Sequence, residues 1–238
     1  MWRNTRVRDE TTMSARDDEA SRSTDHGERS QQGPLPDYYP SVAADIVRMC
    51  RPPDDGICVD LGAGEGPVAL ALAELCSARL VLVDPDPEPL SAARDRAQDD
   101  GHARRISTLC GRAEQLPLTD QSVDVVFSRG SVYFWENQAR GVAEIYRVLR
   151  VGGQAMIGGG LGHDYPEWAR REFVRRRHEG ARSKGPEAYA RFVYLRDPKT
   201  FASWARAAGL PRFEVVGEGG RPPEDPSAGL GIWLRFER

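Results

Sequence analysis

The sequence predicts an α/β protein built on a doubly wound, mostly parallel sheet of seven strands with helices on both faces. Two observations predict this fold class. Short apolar runs alternate with helical patterns along most of the 238 residues, and this order is typical of parallel strands joined by right-handed crossovers. A glycine-rich turn follows the first apolar run, at the position where such sheets carry a ligand site.

Each strand is predicted from a short run of apolar residues bounded by turn residues. The predicted strands are Ile57–Leu61, Arg79–Asp84, Ile106–Cys110, Val123–Ser128, Gln154–Ile157, Phe213–Val216 and Ile232–Phe236. Helices are predicted where apolar residues recur at helical spacing, at Asp37–Met49, Pro67–Cys76, Glu88–Asp99, Gln138–Leu149 and Pro198–Ala208. The first helix is expected to end before Pro52, because proline disfavours helical geometry in the residue before it.

Composition divides the chain into a tail and one folded domain. Residues 1–36 are rich in Arg, Asp, Glu, Ser and Thr, and a segment with so few apolar residues cannot offset its ordering entropy by burial. We expect a disordered tail there, either dispensable or ordered by a ligand or partner, and a folded domain over residues 37–238. Within that domain, residues 161–197 are expected to form a helical insertion on the substrate side, after the fifth strand.

The remaining composition argues against several classes of function. The chain has no run of about 18 apolar residues, and its first 30 residues lack the apolar stretch of a secretory signal, which predicts a cytoplasmic protein without a membrane partner. The net charge of -3 gives no reason to expect nucleic-acid binding. The four cysteines and four histidines lack metal-ligand spacing, so we predict buried thiols and no metal site.

The most informative segment runs Val59-Asp60-Leu61-Gly62-Ala63-Gly64-Glu65-Gly66, where the first strand turns into a helix. Glycines at such a turn permit backbone angles closed to other residues and let a ligand approach the main chain and the helix N-terminus. The spacing Gly-x-Gly-x-Gly differs from the Gly-x-Gly-x-x-Gly of dinucleotide-binding proteins. Asp84 ends the second strand at the same edge of the sheet, where a carboxylate can accept hydrogen bonds from ribose hydroxyls.

Three further segments follow in a fixed order: Ala113-Glu114-x-Leu-Pro, Ser122-Val-Asp-Val-Val-Phe and Glu144-Ile-Tyr-Arg-Val-Leu-Arg-Val-Gly-Gly. Together with the glycine turn and Asp84, they make residues 37–160 resemble the class I S-adenosylmethionine-dependent methyltransferases. The resemblance implies a Rossmann-like methyltransferase fold and S-adenosyl-L-methionine as the cofactor.

The same resemblance implies which residues bind the cofactor. Asp60, Gly62, Ala63, Gly64 and Gly66 would hold its methionine part and ribose, Asp84 its ribose hydroxyls, and Pro85, Ala113 and Glu114 its adenine, while Ser128, Arg129 and Tyr38 would border it. One departure is Arg112, which stands where the family often has an acid for the adenine amino group. Adenine recognition would then depend on backbone groups or on Glu114.

Three side chains near the expected acceptor are candidates for catalysis. Tyr133 and Glu136 lie in the loop after the fourth strand, and each is polar enough to hold an acceptor or act as a base. Phe134 and Trp135 in that loop either line the acceptor pocket or pack against the next helix. His163 follows the glycine run after the fifth strand, and histidine is a common general base, although a lone histidine in a loop is also typical of a surface.

Two further features each allow two interpretations. Tyr38 and Tyr39 open the first helix, where they either gate the cofactor or pack as part of an ordinary amphipathic helix. A cluster of arginines in the insertion either binds an acidic substrate or partner or forms a solvated face balanced by glutamates. The cluster consists of Arg170, Arg171, Arg175, Arg176 and Arg177.

These observations predict methyl transfer from S-adenosylmethionine to a small-molecule acceptor by in-line displacement. An enzyme contributes to that chemistry mainly by aligning the reactants and excluding water, so no triad, metal or pair of carboxylates is required. Two alternatives are a non-catalytic S-adenosylmethionine-binding regulator or subunit and a nicotinamide-dependent oxidoreductase, which the glycine spacing fits poorly.

Overall fold

Seven strands form the sheet that positions every other element. The computed structural model describes residues 34–225 and 229–238 of the chain. The strands are β1 (Ile57–Leu61), β2 (Arg79–Asp84), β3 (Ile106–Cys110), β4 (Val123–Arg129), β5 (Leu149–Gly159), β6 (Glu214–Gly217) and β7 (Ile232–Glu237). They lie side by side in the order β3-β2-β1-β4-β5-β7-β6.

The direction of the strands confirms the predicted fold class. The first five strands are parallel, and β7 pairs antiparallel with both β5 and β6. The strand order reverses at β1, which pairs with β2 on one side and with β4 on the other. In open α/β sheets, ligands bind beside such a reversal, at the carboxyl ends of the strands. The turn after β1 therefore lies at the expected ligand site.

Helices cover both faces of this sheet. They are α1 (Tyr39–Cys50), α2 (Pro67–Ala73), α3 (Pro87–Asp99), α4 (Gln138–Val148), α5 (Glu167–Arg182), α6 (Pro186–Tyr194) and α7 (Pro198–Ala207). Side chains at the N-caps of α3, α4 and α7 (Asp86, Asn137 and Asp197) accept hydrogen bonds from backbone amides of the first turn, which satisfies groups that a helix leaves unpaired. The predicted helical insertion after β5 is present as α5 and α6.

Alternate residues of the central strands pack into separate cores on the two faces. Leu82 of β2 and Phe127 of β4 pack with α1, α2 and α3, whereas Val59 of β1 and Val126 of β4 pack with α4 and α7. Strands that are buried on both faces need apolar residues at nearly every position. This explains why the predicted strands were continuous apolar runs rather than alternating patterns.

Several boundaries differ from the prediction by one to five residues, and the largest difference, at the start of β5, arises from pairing between strands. The helix predicted to reach Leu149 ends at Val148, and Leu149 instead begins β5 by pairing with Val123. Gly152 and Gly153 interrupt the apolar pattern of this early part of β5. Glycine is unfavourable inside strands, and the strand predicted from the sequence begins only at Gln154.

The predicted tail falls mostly outside the described residues. Of the disordered segment predicted for residues 1–36, only residues 34–36 are described, and they form neither helix nor strand. Across residues 34–225 and 229–238, no helix combines the length and apolar character needed to cross a membrane.

The prediction of buried cysteines holds for part of the set. Cys50 and Cys58 are buried and Cys76 is half-buried, but Cys110 is exposed. Cys110 lies at the end of β3, which is the edge strand of the sheet, and side chains there lack a neighbouring strand to cover them.

Substitution of Phe201 is expected to test how much the α7 face contributes to stability. Phe201 is fully buried against α4 and the sheet, so Phe201→Ala should lower the free energy of unfolding by about 3–5 kcal/mol through lost burial and a cavity. Phe134→Ala is the matched control, because its side chain is 85% exposed. Urea unfolding measures both, and a similar loss for the two variants would contradict the packing described.

Candidate active site

A cavity of about 1150 Å³ opens at the carboxyl ends of the parallel strands. Its lining comes from the ends of β1, β2, β4 and β5, the start of α1, and the helices α5 and α6. Twelve of the fifteen predicted site residues line it: Tyr38, Asp60, Gly62, Ala63, Gly64, Asp84, Pro85, Ala113, Glu114, Arg129, Tyr133 and Glu136. Gly66, Ser128 and His163 are not among the residues that line it.

The turn after β1 forms part of the floor of the cavity. The backbone amides of Gly62 and Ala63 donate to the Val83 carbonyl at 2.7 and 3.1 Å. A Cβ on Gly62 (φ +72°) would lie 2.1 Å from the Cβ of Ser131, whereas one on Gly64 (φ +54°) would meet nothing within 4 Å. Gly62 is therefore required by packing, while Gly64 leaves the main chain open to a ligand.

Gly66 packs against the sheet beneath this turn and does not line the cavity. It has a φ of +73° and precedes α2 as its N-cap residue. A Cβ at this position would lie 2.6 Å from a methyl carbon of Leu82. The third glycine of the motif is thus needed for close packing of α2 on the sheet, which is a support role for the site.

Asp84 is fixed at the end of β2 by two backbone amides. Its Oδ2 accepts a hydrogen bond from Gly64 N at 2.9 Å, and its Oδ1 accepts one from Asp86 N at 3.0 Å. Each carboxylate oxygen can accept further bonds. The carboxylate therefore borders the cavity in a fixed orientation and keeps acceptor capacity for hydroxyl groups of a ligand.

Asp60 is a buried acid without a full set of partners. Its side chain is 3% exposed, and its Oδ2 is buried with no hydrogen-bond partner in the described part of the chain. Burial raises the pKa of Asp60 to about 8; the hydrogen bond from the Ala69 amide opposes this, and the nearby Asp84 adds a smaller increase. Such a group is an acceptor that a cationic ligand group would satisfy.

The loop after β3 holds its acidic residue in a different role from the one predicted. Oε1 of Glu114 accepts hydrogen bonds from the backbone amides of Glu136 (2.7 Å) and Asn137 (3.1 Å). Glu136 in turn pairs with Arg112 at 2.8 Å, and both side chains are largely exposed. Glu114 thus shapes the loop between β4 and α4, and the carboxylate of Glu136 is engaged by Arg112.

Arg129 ties the end of β4 to the start of α1. Its Nη1 donates to the Tyr38 hydroxyl at 3.1 Å, and its Nε donates to the Gly160 carbonyl at 3.2 Å. The guanidinium carbon also lies 4.1 Å from the centroid of the Tyr38 ring, a cation-π contact. The start of α1 is consequently part of the cavity wall, as the gating interpretation of Tyr38 and Tyr39 requires.

Ser131 lines the cavity and is bonded to Ser128, which lies behind the cavity surface. The Ser131 hydroxyl lies 2.9 Å from the Leu61 carbonyl and 2.6 Å from the Ser128 hydroxyl, and the indole of Trp135 donates to it at 3.1 Å. Ser128 is fully buried. Ser131 was not among the predicted site residues, and no motif marked it, because its role depends on the approach of β1 to β4.

Tyr133 presents a buried hydroxyl without a partner. Its oxygen makes no hydrogen bond within the described residues, and its ring packs edge-on against Phe201 at a centroid distance of 6.3 Å. Burial raises the pKa of Tyr133, although the positive charges of Arg196, Arg129 and Arg177 oppose this. The hydroxyl therefore stays protonated at neutral pH and suits a hydrogen-bond donor better than a base.

His163 lies away from the cavity, contrary to the position expected for a base. Its side chain is exposed, and its backbone amide donates to Asp45 Oδ2 at 3.1 Å. Two buried acids lie near this point, Asp45 and Glu218; Glu218 accepts hydrogen bonds from the amides of Leu161 and Gly162 and pairs with Arg170 at 3.2 Å. Sequence reasoning missed Glu218, because no local pattern marks it.

Comparison with known proteins shows the family to which this chain belongs. The chain matches the family model described as a methyltransferase domain over residues 59–157. It is 34% identical over 182 residues to a ubiquinone/menaquinone biosynthesis C-methyltransferase from Rubrivivax gelatinosus, a match that covers 72% of this chain and 68% of the relative. The chain belongs to the class I S-adenosylmethionine-dependent methyltransferases.

Two other likenesses agree with this assignment. The methyltransferase superposes on a candidate S-adenosyl-L-methionine-dependent methyltransferase from Methanococcus maripaludis with a TM-score of 0.67 and 26% identity, covering 84% of this chain and 85% of that one. It is 32% identical over 117 residues to a chloroplastic 2-methyl-6-phytyl-1,4-hydroquinone methyltransferase from Arabidopsis thaliana. That match covers 48% of this chain, which spans about a third (32%) of the plant protein. The predicted cofactor class, S-adenosylmethionine, is confirmed by the family.

The two glycines of the turn are expected to respond differently to substitution. Gly62→Ala should lower the free energy of unfolding by about 2 kcal/mol or more, because left-handed backbone disfavours a Cβ by about 1–2 kcal/mol and this Cβ would clash with Ser131. Gly64→Ala, with the same backbone region and open space, should cost only about 1 kcal/mol. Urea unfolding of the methyltransferase measures both, and equal losses would contradict the close approach.

The raised pKa of Asp60 predicts a pH dependence of stability. Between pH 4 and pH 8 the folded protein holds a proton on Asp60 that the unfolded chain has released, because folding raises this pKa from 3.8 to about 8. The contribution of Asp60 to stability therefore falls as the pH rises through this window. Asp60→Asn should melt at a higher temperature than the unmodified protein at pH 8, and the difference should shrink toward pH 5.

Thermal unfolding from pH 5 to pH 9, without cofactor, measures this difference. Asp95→Asn is the matched control, because Asp95 is exposed and its replacement removes the same charge. A gap between Asp60→Asn and the unmodified protein that stays constant with pH would show that the carboxyl group is ionised in the folded state.

Proposed function

We propose that this protein transfers a methyl group from S-adenosylmethionine to a small-molecule acceptor. The observation that carries the proposal is one cavity that joins the glycine turn, Asp60 and Asp84 to the walls supplied by α5 and α6. The glycine turn and the two aspartates suit the polar groups of the cofactor, and the walls from α5 and α6 provide a separate surface for an acceptor. Substrate-side walls from residues 161–197 agree with the insertion predicted from the sequence.

Three features of the strand edge fit the cofactor. The open space over Gly64 admits the methionine part and the ribose against the main chain. The unpartnered oxygen of Asp60 is suited to the ammonium group of the methionine part, and the fixed carboxylate of Asp84 to the ribose hydroxyls. Pro85 and Ala113 border the cavity where the resemblance puts the adenine.

Adenine recognition would not depend on the charge of Arg112 or on a free Glu114 carboxylate. Arg112 is paired with Glu136, and Oε1 of Glu114 is occupied by two backbone amides. Among the backbone groups of residues 111–114, Gly111 N, Arg112 O and Glu114 O are already bonded within the described part of the chain, which leaves the amides of Arg112 and Ala113 for a ligand. These support adenine contact through the main chain, one of the two options that the sequence leaves open.

When bound, the cofactor supplies a methyl group on a positively charged sulfur. The protein's contribution is to align the acceptor with that group and to keep water out, which is enough for large rate effects. Tyr133 fits this role as a protonated donor that orients the acceptor, because its hydroxyl is buried and unpartnered. Glu136 is paired and exposed, and His163 lies off the cavity, so we assign neither of them the part of a base.

The relatives support an aromatic acceptor. The two relatives compared above are named for methylation in quinone biosynthesis and of a phytyl hydroquinone. In this chain, Phe134, Phe173 and Phe192 line the cavity, and Phe134 is 85% exposed. Aromatic side chains at such a surface favour a flat, apolar body in the acceptor.

One alternative, a non-catalytic binder of S-adenosylmethionine, has to be excluded by experiment. The other, a nicotinamide-dependent oxidoreductase, loses its basis because the chain belongs to the methyltransferase family. Release of S-adenosylhomocysteine with any acceptor of a chemical panel would exclude the binder. A cytoplasmic location stays a prediction of the sequence.

Loss of the Asp84 carboxylate is expected to weaken cofactor binding by about tenfold or more, because charge-assisted hydrogen bonds contribute about 1.5–3 kcal/mol. Isothermal titration of Asp84→Ala with S-adenosylhomocysteine measures the change. Asp84→Asn, which keeps one oxygen acceptor but no charge, should lie between Asp84→Ala and the unmodified protein.

Asp95→Ala is the control for this titration, since Asp95 is exposed on α3 and does not line the cavity. NAD serves as the control ligand. Unchanged affinity in a folded Asp84→Ala protein would overturn the position given to the ribose. Failure of the unmodified protein to bind S-adenosylhomocysteine would overturn the proposed function itself.

A further inference from the structure

The positive charges of α5 divide into two groups. Arg171, Arg175 and Arg176 pair with glutamates of their own helix at 2.6 to 3.1 Å. These ion pairs match one of the two interpretations of the arginine cluster, a solvated face balanced by glutamates. The interpretation as a solvated face therefore accounts for only part of the arginines in the insertion.

Four cations of the insertion have no acidic partner. Within the described residues, no carboxylate lies within 4 Å of the charged nitrogens of Arg177, Lys184, Arg191 or Arg196, and all four line the cavity. Arg129, at the end of β4, also lines it, and among the described residues its side chain donates to Gly160 and Tyr38 rather than to a carboxylate. Like charges gathered in one cavity repel one another and attract anions.

Helical spacing puts the cavity-lining residues of α5 on one side. The lining residues are Arg170, Phe173, Arg176, Arg177, Gly180 and Ala181, most of them three or four residues apart, as expected for one face of a helix. Gly180 has nothing within 4 Å of the position of a Cβ. This face and Lys184, just beyond the end of α5, thus combine the unpaired cations Arg177 and Lys184 with small residues that leave room for a ligand.

A buried donor marks the centre of this half of the cavity. The guanidinium carbon of Arg196 lies 4.4 Å from the centroid of the Tyr133 ring and 4.1 Å from that of Phe192. The Tyr133 hydroxyl is buried and makes no hydrogen bond in the described part of the chain. An unpaired buried hydroxyl is costly, and a ligand oxygen between Tyr133 and these arginines would satisfy it.

The carboxylates of the cavity lie mainly at its other end. Asp60, Glu65 and Asp84 come from the β1 and β2 edge, and Glu114 and Glu136 from the neighbouring loops. Glu218 also lines the cavity, and it is already paired with Arg170. The cavity is therefore polarised, with acids on the proposed cofactor side and unpaired cations on the side of α5 and α6.

We infer that the acceptor is an organic anion, whose carboxylate or phosphate group binds between the Tyr133 hydroxyl and the guanidinium groups of Arg177 and Arg196. This inference rests on the proposed function for the identity of the ligand as an acceptor. The aromatic side chains Phe173 and Phe192 contact the apolar body of the molecule. Tyr133 and the two arginines are positioning residues, which hold the acceptor in line with the methyl group.

Titration with matched aromatic probes tests the inference directly. Benzoate and phenyl phosphate carry the anion, benzamide has the same ring without charge, and benzylamine carries the opposite charge. Ligand-observed NMR titrations on the protein saturated with S-adenosylhomocysteine should show both or one of the anions binding at least about tenfold more tightly than benzamide, and benzylamine not at all. The tighter of the two anions identifies carboxylate or phosphate. Binding should weaken as salt is added.

Variants assign the binding to the proposed residues. Arg177→Gln and Arg196→Gln should each weaken the anion by about tenfold, as loss of a charge-assisted contact predicts, and Arg196→Lys should recover part of it. Tyr133→Phe should weaken the anion without lowering the melting temperature, since the hydroxyl lacks a partner to lose. Arg171→Gln, on the solvated face and paired with Glu167, should bind the anion as the unmodified protein does.

Three results would overturn the inference: no binding of either anion, binding of neither anion more tightly than benzamide, or unchanged anion affinity in both Arg177→Gln and Arg196→Gln. The same titrations on protein without S-adenosylhomocysteine separate this test from that of the proposed function. Loss of S-adenosylhomocysteine binding would overturn methyl transfer, whereas the anion titration on the free protein would still decide whether the cationic site exists.

Discussion

The close approach of the ends of β1 and β4 is the constraint on which the cofactor side of the structure depends. The Ser131 side chain fills the position where any Cβ on Gly62 would lie. Its hydroxyl joins the Leu61 carbonyl, the Ser128 hydroxyl and the Trp135 indole into one network. Because this network fixes the floor under the glycine turn, the main chain at Gly64 stays open and Asp84 can hold its amide.

A buried ion pair has the corresponding role on the acceptor side. Glu218 and Arg170 are both buried, and together they bond the backbone of residues 161–165. Buried ion pairs contribute little net stability, since desolvation offsets their attraction, but removal of one partner is costly. The pair therefore specifies where α5 lies over the end of β5. Burial raises the pKa of Glu218, and the amides of Leu161 and Gly162 together with Arg170 oppose this.

The chemistry of the site follows from the separation of charge between these two halves. A fixed carboxylate and a buried acid at the strand edge suit hydroxyl and ammonium groups of the cofactor, while unpaired guanidinium groups at the insertion suit an anion. Transfer of the methyl group from a bound cofactor to a bound acceptor is accelerated mainly by alignment of the two molecules and by exclusion of water. This is consistent with a cavity that offers Tyr133 as a positioned donor and does not present His163 to the ligand.

The sequence by itself determined the order of strands and helices, the glycine turn and Asp84, because each depends on local periodicity or on residues that are adjacent in the chain. Most of the site residues that it selected line the cavity, since parallel strands bring their carboxyl ends to one edge. Only the tertiary structure decided four other features. These are the start of β5 at Leu149, the hydrogen bonds that meet at Ser131, the burial of Glu218 and the position of His163 outside the cavity. Each depends on contacts between segments far apart in the chain, and so does the division of the insertion's arginines into paired and unpaired ones. No local pattern in the sequence records such contacts.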